Sequence, residues 1–376
     1  VKRALFASLT VASLLAACGG SAAPSAPASS PAAASAASTK PAASPSTAAS
    51  ASAKPAASGA ASAKPAASGA AAAQAEGSAA AKPAAGAVTV YGALTTENGD
   101  AFAKAFQAAS PGSSVQVVAS GSGPLMSRIT AEQKAGGVKA DVILLADPTA
   151  MDGLVNDGVT TAYDPKDASK LPASLRGKGW VGAFTFNNVL LSRKGLASAP
   201  KDWKDIDNQA FKGAIEIGDP AYSGTTLAMV GVLSKSLGWD YFRDLQKLGA
   251  RAVQSTNTVG TDIAGGQMQV GISLDSVGRD LIKKGSPVDM VWPTSGTVPV
   301  PAPVALVKGR DSAAAKAFVD WLISADGQAT SVKLGYAPAY GASDAVPAGT
   351  KTMDPDWAQI QKDRDSILQQ FKQIFG

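Results

Sequence analysis

The chain has 376 residues, a formal net charge of +5, no histidine and a single cysteine, Cys18. These numbers exclude Ser-His-Asp and Cys-His catalysis, every histidine-ligated metal site and any disulfide within the chain. The charge is not a footprint for nucleic acid, because six of the 34 basic residues and only one of the 29 acidic ones fall before residue 87, leaving the rest balanced.

Residues 1–18, VKRALFASLTVASLLAAC, place Lys2 and Arg3 before an apolar run from Ala4 to Leu15. That is the charge order of an export signal, and the run is too short for a permanent membrane-spanning helix. Leu15-Ala16-Ala17-Cys18 resembles the lipobox of bacterial lipoproteins, which implies lipidation of Cys18 and an anchor on the outer face of a membrane. The alternative is an ordinary cleavable signal with a chance cysteine. Residues 19–86 are almost entirely Ala, Pro, Ser, Gly and Lys, and ASAKPAASGA at 51–60 recurs at 61–70. With no large apolar side chains to offset ordering entropy, this stretch is expected to be a disordered tether.

From residue 87 short apolar runs alternate with helical patterns. Strands are expected at 88–91, 114–119 and 140–145, with helices at 97–109 and 124–135 between them; PTAMDGLVNDG follows the third strand. This βαβαβα order with short connections predicts a doubly wound parallel sheet, whose ligands bind where strands run out into helix N-termini. VGAFTFNNVLLSRKG at 181–195 reads as two apolar runs broken at Asn187-Asn188. A strand at 214–217, helices at 227–237 and 239–249, and a strand at RAVQ follow. TDIAGGQ reads as a short helix, VGIS at 270–273 as a strand, 277–285 as a helix, and 288–292 and 304–309 as strands. Helices are expected at 311–324 and 356–375, the last with Trp357, Ile360, Ile367, Phe371 and Ile374 on one core-facing stripe.

No P-loop and no dinucleotide fingerprint occurs. Ser198-Ala-Pro-Lys201 matches SxxK, but Pro200 places it in a loop and no KTG accompanies it, so chance explains it better. No cofactor is implied and an enzyme is the minor reading. The candidate binding residues follow strand ends: Thr95 and Thr96 after the first, Ser120, Gly121 and Ser122 after the second, and Asp147 after the third. Asn188 sits at the break in the middle run. GDPAYSGTT at 218–226 supplies Tyr222, Ser223, Gly224, Thr225 and Thr226, and Asp275 follows VGIS. Hydroxyls with unpaired helix N-terminal amides make an anion site, and Gly224 would let backbone approach the anion closely. A turn with an N-cap explains Ser120 and Ser122 equally well, whereas SGTT has two hydroxyls more than a cap needs. Asp147 and Asp275 read equally well as N-caps or solvated carboxylates.

The ordered set VTVYGAL (88–94), SGSGPLMSRITAEQKAGGVKADVILLAD (120–147), AIEIGDPAYSGTT (214–226), VGISLDS (270–276), PAPVALVKG (301–309) and DWAQIQKDRDSILQQF (356–371) resembles extracellular solute-binding proteins of ABC importers. The branch is the one holding ferric-iron, 2-aminoethylphosphonate and sugar-phosphate receptors, and the likeness covers nearly all of residues 87–376. It implies an α/β periplasmic-binding-protein fold of type II, with two doubly wound lobes joined by crossover strands and closing over a cleft. The lobes would comprise 87–186 with 298–345, and 187–297, crossing near 184–189 and 292–299; residues 346–376 would pack on them. The implied function is capture of a small anionic solute for permease subunits, by a monomer. Ferric iron is the alternative. The adjacent tyrosines typical of iron receptors are missing at 273–276, which reads SLDS, so Tyr222 would have to act with Asp147 or Asp275. A surface sensor or adhesion domain that kept the fold is a further alternative.

Overall fold

The structure, a computed structural model, describes residues 85–376; the expected signal, Cys18 and all but the end of the expected tether lie outside the described residues. Strand β1 (Gly86–Gly92), helix α1 (Thr96–Ala109), β2 (Ser113–Ala119), α2 (Ser122–Lys134), β3 (Val142–Leu144), α3 (Pro148–Asn156) and the two-residue β4 (Thr160–Thr161) form the first part. A short β5 (Arg176–Gly177) leads into β6 (Trp180–Arg193). The second part holds β7 (Ile215–Gly218), α4 (Gly224–Leu237), α5 (Trp239–Lys247), β8 (Arg251–Val253), α6 (Thr256–Gly265), β9 (Val270–Leu274), α7 (Asp275–Lys283) and β10 (Val288–Val291). The chain returns through β11 (Val298–Val307), α8 (Ala313–Ile323), α9 (Ala325–Lys333) and β12 (Ala337–Pro338), and closes with α10 (Trp357–Phe375).

One 12-stranded sheet carries the fold, in the order β2-β1-β3-β11-β6-β9-β7-β8 along its main path. Strands β2, β1 and β3 are parallel, as are β9, β7 and β8. Between these halves run β6 and β11, antiparallel to each other and to their neighbours. They are the crossover strands that join the two lobes. The buried residues of β1, β3, β7 and β9 are mostly apolar, as βαβ packing requires, with Glu216 and Ser273 as exceptions.

Three local differences from the sequence reading have physical causes. Strand β6 does not break at Asn187-Asn188. It runs through as one strand because Asn188 turns its amide to the carbonyls of Thr225 and Val298, 3.3 and 3.1 Å away, and stays buried. Strand β11 begins at Val298 despite Pro299, Pro301 and Pro303. Alternating prolines put every missing N–H along the same strand edge, so the other edge still pairs with β6. Helix α6 starts at Thr256, well before the expected TDIAGGQ, because Ser255 caps it through the Asn257 amide.

Candidate functional site

The carboxyl ends of the parallel strands in both halves open on one cleft of about 430 Å³, within the usual range for small-molecule sites. Five helices, α1, α2, α4, α6 and α7, line it with their first residues. Each helix leaves its first N–H groups without an intrahelical acceptor and carries a partial positive charge at that end. No lysine or arginine is among the described residues that line the cleft. Its charged lining is Glu97 and Asp280, tied together by Lys284, which lies 3.4 Å from Glu97 and 2.8 Å from Asp280.

Of the residues nominated from the sequence, Thr95, Thr96, Ser120, Gly121, Ser122, Tyr222, Ser223, Gly224 and Thr225 line this cleft. The hydroxyls have local duties there. Thr95 Oγ1 caps α1 by accepting the Asn98 amide at 3.1 Å. Ser122 Oγ accepts the Ala146 amide at 3.1 Å. Ser223 Oγ accepts the Thr226 amide at 3.3 Å and shares a 2.9 Å hydrogen bond with Thr225 Oγ1. The hydroxyls beyond a single cap at SGTT are thus accounted for in two ways: Thr225 pairs with the cap, and Thr226 turns inward. Among the motif residues that line the cleft, Gly224 and Thr225 also carry first-turn N–H groups of α4 that have no intrahelical acceptor.

Gly224 has a different use from the one its sequence position suggests. A Cβ there would lie 2.4 Å from the Ala146 carbonyl oxygen and 2.5 Å from Asp147 Cβ. Its bare backbone therefore lets the loop after β7 meet the loop after β3, across the cleft that it also lines. Gly123 plays the reciprocal part: its N–H donates to Tyr222 O at 3.2 Å, and a Cβ there would be 2.1 Å from Ala221 O. The two halves touch, backbone on backbone, at this seam.

Asp147, Asn188, Thr226 and Asp275 are buried and do not line the cleft. Asp147 caps α3 through Ala150 N and meets Arg364 at 2.8 Å. Asn188 serves the crossover strands as described. Thr226 Oγ1 is buried without a partner, facing Gly218. Asp275 accepts from Asn187 N and Nδ2 at 3.0 and 2.9 Å, from Ser276 N at 2.9 Å, and from Arg279 at 2.9 Å. Burial pushes its carboxyl above the ordinary range, against the pull of Arg279 and these donors.

Sequence reasoning missed Asn98, Phe186, Gln254, Ser255, Asn257, Ser276 and Tyr336 in the lining. Tyr336 stacks on Phe184, centroids 4.2 Å apart, and its hydroxyl accepts from Asn98 Nδ2 at 2.6 Å. Burial raises its phenol pKa further, so it stays a neutral donor. The available signal for α6 was Ser255-Thr256-Asn257, a cap motif directly after the short strand β8. Nothing in a single sequence marks Tyr336, which reaches the cleft from a two-residue return after α9.

The chain matches the model of the bacterial extracellular solute-binding protein family over residues 88–337. It belongs to that family. This solute-binding protein is 32% identical over 316 residues to the probable ABC transporter periplasmic-binding protein y4fP of Sinorhizobium fredii, covering 77% of this chain and 86% of the relative. Among solved structures it is similar to the periplasmic binding protein AfuA from Actinobacillus pleuropneumoniae with exogenous fructose-6-phosphate bound. The TM-score is 0.70 at 22% identity, over 77% of this chain and 98% of that one. It is also similar to iron-bound HitA from Pseudomonas aeruginosa, with a TM-score of 0.64 at 20% identity, over 77% and 99% of the two chains. Those likenesses establish the type II periplasmic-binding fold. As a member of that family and by its likeness to the Sinorhizobium protein, it is the extracytoplasmic solute-binding component of an ABC transporter. Among the described residues no helix is long and apolar enough to cross a membrane.

Proposed function

We propose that the cleft captures a small anionic solute, a phosphonate, phosphate ester or similar oxyanion, and that the protein delivers it to permease subunits while held to the membrane by lipid at Cys18. The observation that supports this most is the meeting of five helix N-termini in one cleft, which no basic side chain lines among the described residues and where Lys284 offsets the carboxylates of Glu97 and Asp280. Oriented amides and helix dipoles attract an anion without an ammonium or guanidinium partner. A charge-assisted hydrogen bond from such an amide contributes about 1.5–3 kcal/mol, so a few of them suffice for micromolar binding. Solute capture requires no bond to be made or broken, so the reading is of a carrier and not an enzyme.

Ferric iron fits the residues less well. It asked Tyr222 to act with Asp147 or Asp275, and those two carboxylates are held by Arg364 and Arg279 outside the lining. Among the described residues no group of three or more acidic, histidine or cysteine side chains is placed to hold a metal.

The deciding measurement is a thermal-shift screen backed by titration calorimetry, with 2-aminoethylphosphonate, fructose 6-phosphate, inorganic phosphate, Fe(III) and neutral sugars as probes. A solute at 100 times its dissociation constant adds about 2.7 kcal/mol of stability. An oxyanion is expected to raise the melting midpoint. A shift from Fe(III) or a neutral sugar, with none from any oxyanion, would overturn the reading.

A further inference from the structure

Asp147 is a buried carboxylate beside the cleft whose cationic partner comes from the far end of the chain. Its side chain is 2% exposed. One oxygen is used locally, accepting from Thr149 Oγ1 at 2.7 Å and Ala150 N at 3.1 Å. The other receives Arg364 of α10 at 2.8 Å, and the same guanidinium nitrogen reaches Thr149 Oγ1 at 3.0 Å. Asp147 belongs to the β3–α3 junction of the first parallel half. Helix α10 is seated mainly on the other half, against α4 and α5, and meets the first half at α3, where Arg364 reaches Asp147. Ile360 and Ile367 lie against Gly231 of α4, where an added Cβ would meet them at 3.1 and 3.4 Å, and Phe371 packs edge-on against Phe242 of α5 with centroids 6.2 Å apart. The ion pair therefore spans the two halves. It sits directly beside the seam, since Asp147 Cβ is one of the atoms that abut Gly224.

We propose that Arg364–Asp147 is a latch of the closed form, and that Arg364 is a positioning residue for solute retention although it does not line the cleft. The apolar stripe keeps α10 on α4 and α5 when the halves part, so opening withdraws the guanidinium and leaves the Asp147 carboxylate to water. Closing restores a charge-assisted contact between a buried carboxylate and a partly exposed guanidinium, where such contacts weigh more than between two fully exposed groups. The pair biases the open–closed equilibrium toward closure whatever solute is bound. A ligand's apparent affinity scales with the fraction of protein in the competent form, so the latch enters the affinity without a contact to the solute. This inference rests on the solute-binding role and the two-lobed fold, and not on the anionic class of solute.

The test needs no solute. In the full chain with Cys18→Ser, dyes on cysteines placed at the exposed positions Lys104 of α1 and Lys247 of α5 report the separation of the halves by single-molecule energy transfer. Arg364→Gln and Asp147→Asn, which keeps a capping oxygen for α3, are each expected to raise the open-to-closed ratio about tenfold or more, the weight of one charge-assisted contact. Their combination is expected to add little beyond either alone. Arg364→Lys is expected to lie between wild type and Arg364→Gln. Unchanged distance distributions in both single variants, or full additivity in the double, would overturn the latch. Should Arg364→Gln fail to fold, Asp147→Asn and Arg364→Lys carry the same comparison. Failure of every oxyanion in the binding screen would leave these distributions as they are, so the two readings fail separately.

Discussion

Gly123→Ala separates closure of the cleft from stability of the fold, because its effects on the two have opposite sign. Gly123 lies in the first turn of α2, where alanine is intrinsically better than glycine by about 0.5–1 kcal/mol. With the halves apart, nothing opposes that gain. With the halves together, the new methyl carbon would stand 2.1 Å from Ala221 O, a backbone atom that cannot rotate away. The seam must then open by roughly an ångström. That sacrifices the Gly123 N–H to Tyr222 O bond of 3.2 Å, worth about 0.5–1.5 kcal/mol, and adds overpacking strain of about 1–3 kcal/mol. The closed form therefore loses about 1.5–4.5 kcal/mol, which at 1.4 kcal/mol per decade is a fall in solute affinity of roughly 10- to 1,600-fold. The melting midpoint without solute should stay level or rise. Small-angle scattering should show a larger radius of gyration for the variant, and calorimetry with whichever probe the screen identifies should show the weakened binding. Undiminished affinity with an unchanged scattering profile would mean that the loop at 219–224 yields without cost, and the seam argument would be wrong.

Two further outcomes follow from buried and exported residues. Burial pushes the Glu216 carboxyl above its ordinary range, against the pull of Arg251 at 2.7 Å, and its second oxygen has no partner. The folded state then holds the proton to higher pH than the unfolded chain does, so stability falls as pH rises from the ordinary glutamate pKa through the raised one; denaturant melts across that window should show Glu216→Gln flattening this slope, leaving the part that Asp207 and Asp275, also raised, contribute. Cys18→Ser should move the protein from the membrane to the soluble fraction while leaving the melting curve of the folded region unchanged, and a variant still sedimenting with membranes would rule out a lipid anchor at Cys18.

The fold was legible because parallel βαβ units announce themselves by spacing, which sets Thr95, Ser122 and Thr225 at the carboxyl ends of strands. That these ends, in two different lobes, face one cleft was implied by the family resemblance and not by spacing. What spacing does not carry is the direction in which a residue at such an end is satisfied. Asp275 and Arg279 are four apart on α7, so that pairing was readable as an i, i+4 ion pair, and reading it would have removed Asp275 from the ligand set. Asp147 was not readable in this way, because its partner Arg364 arrives from the far end of the sequence. Gly224 shows the same limit: a glycine at a helix mouth signals close approach, but only tertiary contact reveals that the approaching group is the Ala146 carbonyl.

The proposed mode of anion capture has a consequence for closure that a lysine-based site would lack. A lysine can follow a solute on a flexible stem and hold it from one lobe. Helix ends are fixed to the sheet that bears them, and their field fades within about a turn. Here α1 and α2 belong to one half, whereas α4, α6 and α7 belong to the other. An anion drawing on both sets is held fully only when the halves meet, so the seam at Gly123 and Gly224 and the Arg364 latch sit where they control affinity most. Opening by a few ångströms would remove the donors of one half together, and release would need no competing group to pull the solute away.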